Sequence, residues 1–378
     1  KKFQLKKKIN EIKYFLKNKK YSKILKTIHE FRNNYIFVQI IIKKNKEIIS
    51  FLKNILNKTE RLKKKNLSFQ KMDILNDIGW AINKEILIKS IEIENNLKKQ
   101  NINISEKSVI FFRYLLYEIE SLNYLESRGR DSSSISLTFV SLSRLKITNT
   151  TNNNRSNISI LCAKKKKNFF STNITVKYAN RIGYAGENTK KLLDIIYQSK
   201  IFSKINFYTI ISCSIIAHTR WASVGSVNLN NTHPLINKHN NNFEFFYMNG
   251  DIINYSNLKQ KQINEKNFLT TDKICSNDLQ CLPGIFKTSK KKLLKIADGS
   301  FVIFYNNLNS PHDFNIFKKG TQGLYYSIDY DHNINFASDV YGLINKSNKF
   351  FIIKNNCAFS VNQKFIKKTI STKKKIQY

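Results

Sequence analysis

The chain has 378 residues, a formal net charge of +39 and 41% hydrophobic residues. That length admits two or three domains with a substantial core. So high a charge suggests an anionic partner, but the basic residues are nearly all Lys and run from Lys1 to Lys375 without a focus. No base-stacking motif or zinc spacing accompanies them, so the reading excludes a nucleic-acid partner.

The dominance of Lys, Asn, Ile, Phe and Tyr is what AT-rich codon usage yields. Runs such as Lys164–Lys167 and Lys290–Lys292 read as solvated loops. The five cysteines are Cys162, Cys213, Cys275, Cys281 and Cys357. Their odd number and irregular spacing argue against a disulfide framework, and a reducing, cytoplasmic setting follows. No uninterrupted apolar run approaches the roughly 18 residues of a membrane span, so no membrane is expected. No ligand spacing calls for a metal or cofactor.

Residues 1 to about 107 read as all-helical. In "INEIKYFLKNKKYSKILKTIHEFRNN" and "MDILNDIGWAINKEILIKSIEIENNLKKQ" apolar residues recur three or four apart, and Gly and Pro are almost absent. A small bundle or long hairpin is expected. Ser105 is placed to cap the next amphipathic helix, which runs to about Glu126. At "RGRDSSSISLTFVSLS" the period changes to two, with Ile135, Leu137 and Phe139 on one face of a strand. From there to about Asn355 strands alternate with short helices: "NITVKY", "NTKKLLDIIYQS", "CSIIAHTRW", "FEFFYMNG", "KKLLKIA", "GSFVIFYNN", "GLYYSID" and "NINFASD". The stretches 148–158 and 163–168 read as surface insertions.

In "SIIAHTRW" an apolar strand empties into His218, Thr219, Arg220 and Trp221. Polar groups at a strand end line pockets well, and Arg suits bidentate capture of a carboxylate. Arg220 as a surface ion-pair partner and Trp221 as core is the alternative. "NNTHP" puts His233 before Pro234 in a turn, catalytic or structural. Asn249–Gly250 is a hairpin signal. It is equally a side-chain amide and a backbone N–H side by side, two donors for a developing oxyanion. In "LTTDKI", Asp272 is either a helix N-cap or a carboxylate aimed at an ammonium.

Together, an Arg for a carboxylate, an Asp for an amine and an oxyanion hole describe a site where an amino acid undergoes acyl transfer. The array "HTRWAS", "THP", "NGDIINY", "TTD" and "ASD" resembles the glutaminase domain of the glucosamine-6-phosphate synthase type, a class II glutamine amidotransferase of the N-terminal nucleophile hydrolases. "YLESRGRDSSSISL", "DGSFVIFY" and "NINFASDVYGLI" extend the resemblance over roughly residues 108 to 355.

The resemblance implies an α+β fold, a four-layer α/β/β/α sandwich of two antiparallel sheets, here with an N-terminal all-helical insertion or extension over 1–107 and a basic tail over 356–378. It implies that Arg220 clamps the α-carboxylate of L-glutamine and that Asp272 holds its α-ammonium. Trp221 and Ser223 line the pocket, and His233 supports the loop. Asn249 and Gly250 form the oxyanion hole, and Arg128 sits near the nucleophile. It implies glutamine hydrolysis to glutamate and ammonia, with the ammonia received by a sugar-phosphate isomerase domain for hexosamine phosphate synthesis, and it allows a homodimer. No cofactor is implied.

The chain departs from the family in three ways. Ser223 and Val224 stand where the family has Thr and His. Over 1–107 a helical region replaces a short stretch. The family's nucleophile is an N-terminal Cys whose own α-amino group is the base, whereas Lys1 stands first here and an internal Cys has no free α-amine. A chain truncated at both ends is the expectation. Amidophosphoribosyltransferase-type ammonia delivery and a catalytically inactive, glutamine-binding regulatory domain are the alternatives.

Overall fold

The computed structural model describes residues 2–32, 46–65, 67–147, 157–164, 169–180, 184–239, 242–264, 276–288, 290–329, 333–344 and 350–362. The chain divides into two compact units, Lys1–Tyr114 and Leu115–Tyr378.

The first unit is helical. Helices α1 (Lys2–Lys17), α2 (Tyr21–Arg32), α3 (Lys46–Lys63) and α4 (Phe69–Trp80) are followed by a π-helical stretch, Ala81–Ile88, that runs on into α5 (Lys89–Lys99). The apolar spacing seen in the sequence is the reason they fold together: Ile12, Ile24, Ile28, Leu52, Ile55, Leu75, Ile78, Ile82 and Ile86 share one buried core. Helix α6 (Glu106–Leu125) begins as expected at Ser105. The Ser108 N–H donates to Ser105 Oγ at 3.2 Å, and Ser108 Oγ accepts the Ser105 N–H at 2.9 Å, a reciprocal cap. No helix among the described residues is long and apolar enough to cross a membrane.

The second unit is built on antiparallel sheets. In the first, the order is β2 (Ile158–Lys164), β3 (Phe170–Ala179), β1 (Ser132–Ser141), β4 (Ile210–Arg220). In the second it is β12 (Cys357–Val361), β8 (Ser310–Lys319), β7 (Gly299–Asn307), β6 (Asn242–Ile252), β5 (Leu235–His239). A small third sheet joins β10 (Ile334–Ala337), β9 (Tyr325–Ile328) and β11 (Phe351–Ile352). The second strand of the first sheet starts inside one of the stretches read as insertions. β12 pairs with β8, so the segment after residue 356 opens as a strand.

The alternation along β6 explains how the layers stack. Phe246 and Met248 face one way, into a core with Phe301, Ile303, Phe317 and the helical residues Leu279, Leu282, Ile285 and Leu293. Phe245 and Tyr247 face the other way, against Leu161 and Ile216 of the first sheet. The Tyr247 hydroxyl bonds the Ser136 side chain, tying β6 to β1. Helices α7 (Glu187–Gln198), α8 (Tyr255–Asn264), α9 (Leu282–Thr288) and α10 (Leu293–Ile296) complete this unit; α7 packs on β1 and β3. β4, at the edge of its sheet, ends beside β1, with Arg220 opposite Ser132, and β6, between β5 and β7, ends beside β7, with Gly250 opposite Phe301.

Candidate functional site

The C-terminal ends of β4 and β6 meet. His218, near the end of β4, lies 2.8 Å through Nε2 from the Met248 carbonyl oxygen on β6. His233 Nδ1 lies 3.1 Å from the same His218 nitrogen and accepts the Met248 N–H at 3.3 Å. The pattern requires the His218 proton on Nε2 and a bare Nδ1 on His233. Burial drives both rings toward neutrality. It lowers His218 to about 4, with the nearby Arg220 charge adding to the effect and the Met248 carbonyl opposing it. Burial and then His218 hold His233 well below its usual value. The pair is a neutral clasp that fixes the backbone just before Asn249.

Asn249 and Gly250 lie inside β6, not at a two-residue turn, so the hairpin alternative does not hold. Gly250 has φ of +96°, and a Cβ there would collide with the Ser300 carbonyl oxygen of β7. Only glycine fits that backbone. Gly250→Ala is expected to destabilise the fold by roughly 2–4 kcal/mol, read by chemical denaturation, through positive-φ strain and the collision. The Asn249 amide is aimed by Gln322, whose Oε1 accepts Nδ2 at 3.2 Å. Gln322 was not anticipated. It sits 73 positions downstream, just past the end of β8, and no local pattern marks it.

Arg220 and Trp221 reverse the surface-and-core alternative. Arg220 is 6% exposed and Trp221 is 63% exposed. The Arg220 guanidinium donates to the carbonyls of Val224 and, at 3.4 Å, Ser226, so the loop after β4 wraps around it. Asp131, from the "RGRDSS" stretch, anchors that loop: its N–H donates to the Arg220 carbonyl at 3.0 Å, and its carboxylate accepts the Ala222 N–H at 2.7 Å. The Ser223 hydroxyl donates to Asp251, one residue past Gly250, which joins the loop to β6. Arg128 sits on a short 3-10 turn and pairs with Asp339 at 2.9 Å, linking "RGRD" to "ASD".

Asp272 lies outside the described residues. A buried carboxylate beside Arg220 and Asp251 is Asp278, 5% exposed, whose Oδ2 accepts the Ile252 N–H at 2.8 Å. Burial raises it from an ordinary value of 3.8 to about 6; the Ile252 bond opposes the rise, Asp251 adds to it, and Arg220 draws it back. The folded chain therefore holds a proton that the unfolded chain has released between pH 3.8 and about 6. The associated stabilisation is full below that window and is lost as pH rises through it. Asp278→Asn is expected to flatten this part of the stability–pH curve, measured by thermal unfolding in a buffer series.

Cys281, one turn beyond, donates to the Asp278 carbonyl at 3.2 Å and is fully buried; desolvation pushes its thiol far up, so it is no thiolate nucleophile. Among the described residues no group of three His, Cys, Asp or Glu could hold a metal ion.

One place thus holds a buried guanidinium, a buried carboxylate near it, and an amide–glycine pair at a strand end. Residues 195–272 match the family described as glutamine amidotransferases class-II. The matched segment contains β4, the loop, β5, β6 and α8, and with them Arg220, Trp221, Ser223, His233, Asn249 and Gly250; Asp272 is its last residue, and Asp278 lies beyond it. No curated protein matches the chain. Among solved structures the chain is similar to glutamine phosphoribosylpyrophosphate amidotransferase from B. subtilis complexed with ADP and GMP, at 14% identity and a TM-score of 0.36, over 65% of this chain and 46% of that one. The chain therefore spans less than half the length of that protein.

Proposed function

We propose that residues 115–378 form the glutaminase half of a class II glutamine amidotransferase, an N-terminal nucleophile hydrolase sandwich with helices outside two antiparallel sheets. L-glutamine is the substrate. Arg220 binds its α-carboxylate, and Asp278 binds its α-ammonium, the role first read onto Asp272. Asn249 Nδ2 and the Gly250 N–H stabilise the oxyanion. Trp221 and Ser223 border the site, and His233 with His218 holds β6 in place.

In this reading a thiolate attacks the side-chain carboxamide carbon, and the carbonyl electrons move to oxygen, where the Asn249–Gly250 pair meets them. The tetrahedral centre collapses, the C–N bond breaks and the nitrogen leaves as ammonia after taking a proton. Water then cleaves the thioester to glutamate. The thiol and its base are those of the N-terminal Cys that the resemblance implies. The ammonia is destined for hexosamine phosphate synthesis, a reading supported by Trp221 after "HTR" and by the "THP" turn. Delivery to a phosphoribosyl acceptor is the other reading of the same half-reaction.

The observation that carries the proposal is that the loop wrapped around Arg220 is tied to β6 by the Ser223–Asp251 bond, and Asp278 is tied to β6 at Ile252, two residues past Gly250. A pair of variants tests it. Asp278→Asn is expected to raise the L-glutamine Kd by roughly 100-fold, as expected for a buried charge left without its partner, while Asp272→Asn leaves it within about threefold. The opposite pattern returns the ammonium role to Asp272. Saturable binding without hydrolysis in the full-length protein would make this a glutamine-binding regulatory domain.

A further inference from the structure

Asn231 lies in the loop between β4 and β5 and is fully buried. Its side chain reaches two separate segments. Nδ2 donates to the Ser226 carbonyl at 2.8 Å and to Ser276 Oγ at 3.0 Å, and Oδ1 accepts the Ser276 N–H at 2.8 Å. Asn277 Nδ2 donates back to the Asn231 carbonyl at 3.1 Å. Ser226 is the residue whose carbonyl takes one Arg220 N–H, and Ser276–Asn277 lead directly into Asp278. Gly225 makes the approach possible: φ is +82°, and a Cβ there would lie 2.9 Å from the Ser276 carbonyl oxygen.

We propose that Asn231 is a positioning residue that sets the separation between Arg220 and Asp278, and so fits the site to an α-amino acid. This rests on reading those two residues as the carboxylate and ammonium ends of a glutamine pocket. The reason is geometric. The carboxylate and ammonium of an α-amino acid are attached to one carbon, so their partners must be held at one spacing. Here the two partners stand on different segments, and one primary amide, with both donor and acceptor satisfied, bridges them. A side chain that merely filled space would satisfy neither set of backbone groups.

Amide hydrogen exchange of the full chain, read beside L-glutamine binding and turnover, tests this. Asn231→Ala is expected to speed exchange about tenfold or more at both Val224–Ser226 and Ser276–Asp278, with β6 and β7 unchanged. It should raise the L-glutamine Kd or KM about 10- to 100-fold with kcat little altered. Asn231→Asp keeps the acceptor for the Ser276 N–H and loses the donor to Ser226. It should loosen Val224–Ser226 most and Ser276–Asp278 less, where only the bond to Ser276 Oγ is lost. Unchanged exchange at either segment in Asn231→Ala, or loosening spread evenly through the sheets, would overturn the proposal. Should Asn231→Ala not fold, Ser276→Ala at an exposed position removes one bond of the bridge. About threefold faster exchange at both segments is then expected, and no change overturns it. A wild-type chain that shows the bridged exchange pattern and binds no glutamine would sink the glutamine reading and leave the bridge standing.

Discussion

Asn249→Ala lowers kcat for glutamine hydrolysis by roughly 10²–10³ in the full-length protein and changes KM by less than about threefold. The expectation follows from where the amide sits. β6 is held on one side by β7 and on the other face by the His218–His233 clasp, so the backbone at 248–250 has little freedom. Gly250 takes a conformation closed to other residues, and Gln322 orients the Asn249 amide. A donor fixed in this way costs little reorganisation when charge develops, which is why its loss falls on the chemical step. Binding is spared because neither charged end of glutamine is assigned to Asn249. Steady-state kinetics decide it, and undiminished turnover would remove Asn249 from the oxyanion role.

Arg220→Ala raises the glutamine KM by roughly 30- to 1000-fold, the range for losing one partner of a buried charged pair. Two losses combine. In the proposed assignment the substrate carboxylate loses a bidentate donor, and the carbonyls of Val224 and Ser226 lose the guanidinium that the loop wraps around. Arg220→Lys restores the charge without the planar fork and should recover only part of the affinity. If kcat falls in step with the rise in KM, the loop's disorder reaches Asn249 and the assignment of separate roles fails. Binding should also depend on pH. Holding an ammonium requires ionised Asp278, so affinity for glutamine should decline as pH falls through about 6.

Much of this candidate site is legible in the sequence because its residues are rare in this chain. Arg220, Trp221, His233 and Gly250 stand out against Lys, Asn and Ile, and their order along the sequence is enough to suggest a pocket. The helical unit was legible for a different reason: its apolar residues keep one spacing from α1 through α5. The choice of carboxylate is less plain. Asp272 and Asp278 lie six residues apart in the same polar stretch, and each could cap a helix. Only the fold shows that Asp278 turns inward to the Ile252 N–H. Gln322, Asn231 and the clasping role of His218 escaped for a shared reason. Each acts across elements distant in sequence, and a buried amide has no local signature. β8 was also unmarked, since its opening "SPHDFN" is polar and contains Pro311, and it becomes a strand through pairing with β7 and β12.

The most direct test of the account is calorimetric titration of L-glutamine into the chain at pH 7 and again near pH 5, with Arg220→Ala and Asp278→Asn measured beside it. The account predicts saturable binding at neutral pH that weakens at the lower pH and is weaker by roughly 30-fold or more in both variants. Absence of binding in the wild-type chain, or binding that neither substitution disturbs, would contradict it.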